Sequence, residues 1–119
     1  MRSAAEALGD HVQTALACAQ LGNLCSNNER SALFWEHAGV ILLDKTEAHD
    51  DAEIAFDRAF ERDPRRAVAF DKLFRRVRAR NEDDRLLAII NRRLDVVEDE
   101  QETLKLFWER ARVLRKKGD

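Results

Sequence analysis

Apolar residues recur at intervals of three and four along nearly the whole chain, in blocks separated by short polar breaks, and no block alternates as a half-buried strand would. The first block, Asp10 to Leu24, carries Val12, Leu16, Ala19 and Leu21. Ala4 to Leu8, ahead of Gly9 and Asp10, reads as the remnant of an earlier helix. Ser26-Asn27-Asn28-Glu29 has the spacing of a capping box, with Ser26 as the cap and Glu29 reaching back, so a second helix is predicted from near Asn27 to about Asp44. After a polar turn from Lys45 to Asp50, the residues Ala52, Ala55, Phe56, Ala59 and Phe60 line one face of a third helix.

Asp63-Pro64 separates the third helix from a fourth. Proline restricts the residue before it and suits the first helical position, with Asp63 as the cap. The fourth helix runs to about Arg80 and buries Ala67, Phe70, Leu73 and Val77. Beyond a break at Asn81 to Asp83, a fifth helix from Asp84 to Val97 presents Leu86, Leu87, Ile90, Leu94 and Val97. The last helix follows Glu98 to Glu100 and carries Leu104, Phe107, Trp108, Ala111 and Leu114 as its apolar face. It ends in Arg115, Lys116 and Lys117, which suit the negative end of a helix, and is stopped by Gly118-Asp119.

Composition agrees with an all-α chain. With four Gly and one Pro in 119 residues, strand-and-turn architectures lack their usual punctuation, and the length fits one compact domain spanning 1–119. Lys plus Arg (21) nearly balances Asp plus Glu (23), so any electrostatic recognition must be local. The longest uncharged stretch, Val12 to Asn28, contains too many polar residues to span a membrane, and the N-terminus lacks the pattern of a secretory signal. Cys18 and Cys25 are seven apart, which on one helix places their Cα atoms roughly 10 Å from each other, beyond disulfide reach. Two small buried hydrophobes in a reduced cytoplasmic protein is the expectation.

The chain also repeats itself. Leu33-Phe34-Trp35-Glu36-His37-Ala38-Gly39-Val40 recurs as Leu106-Phe107-Trp108-Glu109-Arg110-Ala111-Arg112-Val113, with six of eight positions identical at an offset of 73 residues. At the same offset Asp10 aligns with Asp83, Ala15 with Ala88, Leu21 with Leu94 and Glu29 with Glu102.

Trp35, Ala38, Gly39 and Leu42, followed by Ala52, Phe56, Ala59 and Pro64, resemble the two helices of a tetratricopeptide repeat, with one extra residue in the turn between them. A second, degenerate unit has Phe70, Leu73, Phe74 and Val77, and has Arg93 where a small residue is expected; a third begins at Leu104. The resemblance covers nearly the whole chain and implies a right-handed α-solenoid of antiparallel helix pairs, with about six helices plus the N-terminal remnant. Small residues such as Gly39, Ala52 and Ala59 would let paired helices approach, while Trp35, Phe56 and Phe60 fill the space between them.

No enzyme constellation is present. His11, His37 and His49 lack the i, i+4 spacing of a helical zinc site, neither cysteine belongs to a C-x-x-C pair, and there is no nucleophile elbow, phosphate loop or dinucleotide fingerprint. No metal or cofactor is therefore expected. Arg65, Arg66, Arg75, Arg76, Arg78 and Arg80 could hold an acidic peptide or a nucleic-acid backbone, but Asp71, Glu82, Asp83 and Asp84 lie among them, and a solvated, partly neutralised face is the favoured reading.

In tetratricopeptide proteins the first helix of each pair lines a concave groove that receives a peptide. The resemblance carries that role to Leu33, Glu36, Val40 and Leu43, to Val68, Asp71, Arg75 and Arg78, and to Leu106, Glu109 and Val113. Glu36, Asp71 and Glu109 depart from the Lys and Asn of the subfamily that clamps a terminal carboxylate. The expectation is a protein-interaction scaffold holding an extended or helical segment. The alternatives are an internal piece of a longer solenoid or a self-associating module joined through uncapped ends, and nucleic-acid binding through the Arg65–Arg80 cluster.

Overall fold

The structure, a computed structural model, describes residues 3–118. Among them are six helices and no strand: α1 (Ala4–Leu24), α2 (Asn28–Lys45), α3 (His49–Arg62), α4 (Ala67–Ala79), α5 (Asp83–Leu94) and α6 (Glu100–Gly118). The all-helical class expected from the 3.6-residue period is thus observed, and none of these helices is long and apolar enough to cross a membrane. Asp119, assigned above to the stop of the last helix, lies outside the described residues. The chain divides into two compact units, one reaching to Lys72 and one starting at Leu73, so the division falls within α4.

In the first unit α2 packs between α1 and α3. The approach on both sides is made by glycine. A Cβ on Gly22 of α1 would stand 2.7 Å from the Trp35 indole of α2, and one on Gly39 of α2 would stand 2.8 Å from the Phe56 ring of α3. Real side-chain carbons do not come this near, so each ring occupies space that only glycine leaves open. Ser31 of α2 adds a buried hydrogen bond, its hydroxyl donating to the Gly22 carbonyl at 2.6 Å. Alanines and phenylalanines fill this core: Ala32, Ala38, Ala52 and Ala59 are fully buried beside Phe56 and Phe60. Phe60 meets Phe70 with ring centroids 5.6 Å apart in a tilted arrangement.

Several boundaries differ from the sequence expectations. Ala4 to Leu8 is no separate remnant but the opening of α1, which is capped by Ser3 and runs through Gly9. The α2 cap is Asn27 rather than Ser26, its side-chain oxygen accepting from the Arg30 N–H at 2.9 Å; Glu29 does not reach back but pairs with Arg65 at 3.1 Å. Pro64 does not open α4. Asp63 instead holds a turn, its carboxylate accepting from the Arg65 N–H and its carbonyl from the Arg66 N–H, each at 3.1 Å, and the helix begins at Ala67.

The second unit has an aliphatic core, with Leu73 and Val77 from α4, Leu86, Ile89 and Ile90 from α5, and Leu106 and Val113 from α6 all buried. Asn81, at φ 57°, ends α4 in the left-handed conformation. Its N–H bonds to the Arg78 carbonyl and that of Glu82 to the Val77 carbonyl, the paired pattern of a Schellman cap. α5 stops at Leu94 rather than Val97, and the N–H groups of Val96 and Val97 share the Arg93 carbonyl in the turn that follows. Asp99 caps α6 by accepting from the Glu102 N–H at 2.8 Å.

The face that α6 buries is opposite to expectation. Leu104, Phe107, Trp108, Ala111 and Leu114 are exposed, and Leu106, Glu109 and Val113 are buried. Two charged contacts select this orientation. Glu102 takes the buried Arg93 of α5 through two hydrogen bonds of 2.8 and 3.0 Å, and Glu109 takes Arg78 of α4 at 3.4 Å. Both glutamates lie on the Leu106–Val113 side of the helix, so turning the other stripe inward would break both pairs.

Candidate functional site

The residues expected to line a groove fall into three settings. Leu33, Val68, Arg75 and Arg78 are exposed; Val40, Leu43 and Asp71 are half-buried; Glu36, Leu106, Glu109 and Val113 are buried. Leu33 through Asp71 belong to the first unit, and Arg75 through Val113 to the second.

Glu36 and Glu109, equivalent in the internal repeat, are both buried carboxylates that receive arginine. Glu36, 6% exposed, accepts from Nη2 of Arg66 at 2.5 Å, from its Nε at 3.3 Å and from the backbone N–H of Ala69 at 3.1 Å. Its hydrogen bond raises the Arg66 guanidinium above the ordinary arginine value, against the opposing effect of burial. Glu109, 3% exposed, accepts from Arg112 at 3.1 Å and pairs with Arg78. With their oxygens occupied inside the chain, these two groups hold helices in place and offer little to a ligand.

The arginine cluster is engaged in the same way. Arg65 pairs with Asp63 and Glu29, which raise its guanidinium, and Arg80 pairs with Glu82. Arg75 and Arg76 also interact with other groups. A row of cations committed to such contacts is a weak footprint for a nucleic-acid backbone. Cys18 and Cys25 are both half-buried free thiols, and the described residues hold no group of three or more His, Cys, Asp or Glu placed to bind a metal.

A concave apolar site in the first unit is a cleft of about 450 Å³, with Trp35, Ala38 and Leu42 of α2 along its floor. Val12, Ala15, Leu16 and Ala19 of α1 form one wall; Ala48, Ile54 and Ala55, on the α3 side, form the other. Asp51 is the sole charged lining residue. The volume lies within the ~300–1,000 Å³ range of pockets that take a ligand or a cluster of side chains. Small residues on both walls keep it open: larger side chains at Ala15, Ala19 or Ala55 would fill it. The sequence marked Trp35 and Leu16 as core and so concealed this site. Its only signal was the number of alanines facing a tryptophan.

The second apolar surface is the outward stripe of α6. Leu104 and Trp108 are each 62% exposed, Leu114 51% and Phe107 45%. Arg110 stands 5.0 Å from the centre of the Phe107 ring.

No family model, curated protein or solved structure matches this chain.

Proposed function

We propose that this chain is a protein-interaction scaffold of tetratricopeptide type, a solenoid of helix pairs, that takes apolar anchors of an extended or helical segment into the cleft over Trp35. The observation that supports this reading is the cleft itself, an open hollow of about 450 Å³ with one charged lining residue, Asp51. Exposed concave apolar surface is unfavourable in water unless something covers it, and a peptide supplying spaced apolar side chains would do so. The partner surface shifts from the groove residues expected in sequence to the cleft, because Glu36, Leu106, Glu109 and Val113 are buried. The scaffold needs no cofactor, metal or catalytic group, and its free thiols suit a reducing, cytoplasmic setting.

Selection of displayed peptides on the immobilised chain, followed by calorimetry against Leu16→Glu, tests the reading. Leu16 lines the cleft yet is 53% exposed, so a charge there changes the cleft without opening the core. Peptides with apolar anchors three or four apart that bind about tenfold more weakly to the variant support it. Absence of selected peptides, or equal binding to both proteins, removes the cleft as the working surface.

A further inference from the structure

The internal repeat gives the exposed stripe of α6 a counterpart of known surroundings. Leu104, Phe107, Trp108 and Ala111 correspond to Ser31, Phe34, Trp35 and Ala38 of α2. On α2 this face is partly covered. Gly22 of α1 closes on the Trp35 indole, Ser31 bonds to the Gly22 carbonyl, and Ala55 of α3 lines the cleft beside Trp35. Both covering helices present glycine or alanine to the tryptophan, and both are acidic: α1 has Glu6 and Asp10 with no Lys or Arg, and α3 has five acidic residues to two arginines.

On α6 the same tryptophan position stands 62% exposed, against the half-buried Trp35. Its surroundings are of opposite charge to the helices that cover α2. α6 carries six Lys and Arg against three Glu; Glu102 and Glu109 are taken by Arg93 and by Arg78 and Arg112, Lys116 and Lys117 pair with Asp83 and Asp84 of α5, and Arg110 bonds to Asn91, so the positive charge beside the stripe comes chiefly from Lys105 and Arg115. By helical position Lys105 borders the stripe on the Trp108 side and Arg115 stands at its end, one turn beyond Ala111, while Arg110 lies against Phe107 on the other side. An apolar stripe bordered by cations is matched by an amphipathic helix with small apolar residues along its centre and carboxylates beside them.

We infer that the Leu104–Leu114 face of α6 is a docking site for an acidic amphipathic helix of a partner protein, one that lays an alanine- or glycine-lined stripe against Trp108 as α1 does against Trp35, with Ala55 of α3 close by. Small residues let the helix axes approach until the indole is covered, and carboxylates at its flank and at its end meet Lys105 and Arg115.

The probe is a synthetic peptide of the α3 sequence, residues 47–63, titrated calorimetrically into the full chain. Saturable binding is expected, weakened about tenfold by Trp108→Ala, weakened again as salt is raised, and unchanged by Leu16→Glu in the cleft of the first unit. A peptide with Ala55 and Ala59 replaced by leucine is expected to bind more weakly, because its helix is held away from the indole. Trp108 is exposed, so its alanine variant folds, which circular dichroism verifies. Failure to bind, or binding that Trp108→Ala leaves intact, overturns the inference. So does sedimentation showing that Trp108 mediates pairing of two copies of the chain, which makes the occupant a second copy. Binding lost with Leu16→Glu but kept with Trp108→Ala would support the cleft and overturn the stripe.

Discussion

The carboxylate of Glu36, in the middle of α2, accepts a hydrogen bond from the backbone N–H of Ala69 and so caps the first turn of α4 from another helix. The same carboxylate holds Arg66, the residue just before that helix. Glu36→Ala leaves a buried donor unsatisfied and a guanidinium unpaired, and is expected to lower stability by about 2–3 kcal/mol. Glu36→Gln keeps an acceptor for Ala69 and is expected to lose roughly half as much. Urea denaturation of the two variants separates the cap from the ion pair.

Glycine-to-alanine substitutions should change sign with position. Alanine favours a helix interior by about 1 kcal/mol over glycine. At Gly9, where a Cβ meets nothing within 4 Å, that gain is expected in full. At Gly22 and Gly39 the new carbon would collide with Trp35 and Phe56, and overpacking of about 1–3 kcal/mol outweighs it. Thermal melts of the three variants are expected to rise for Gly9→Ala and fall for the other two.

The orientation of α6 is open to a direct check. Leu106 is buried and Leu104, two residues earlier, is 62% exposed. Leu106→Ala is expected to cost about 2–5 kcal/mol and Leu104→Ala less than about 1. Equal losses, or the reverse order, would contradict the observed face.

Arg66 makes a prediction about pH. Its folded-state value is raised, so the stabilisation it gives is fully present below the ordinary arginine range and is lost only as pH climbs through the raised value. Between about pH 6 and pH 9 the loss caused by Arg66→Met is therefore expected to stay constant, as measured by denaturation at each pH.

The helices were legible because burial on one face imposes a 3.6-residue period, and Trp35, Gly39 and Phe56 were rightly read as packing residues. What escaped the sequence depends on contacts distant along the chain. The α2 cap moved by one residue because both Ser26 and Asn27 are good caps and only one reaches the Arg30 N–H. The α6 face was misread because that helix carries apolar residues on two sides. The decision rests with Glu102 and Glu109, whose partners Arg93 and Arg78 lie on other helices. Glu36 and Glu109 looked like groove residues because a carboxylate in the sequence carries no mark of burial. The cleft depends on the gap left between α1 and α3, a spacing no local pattern encodes.

The contrast between the two tryptophans also equips the molecule with its own optical reporters. The chain has no tyrosine, so its near-ultraviolet emission comes almost wholly from Trp35, half-buried against Gly22, and Trp108, largely in water. The first should emit at shorter wavelength than the second, and Trp108→Phe would leave the cleft's indole to be watched alone. Occupancy of either surface could then be followed by colour, without a label.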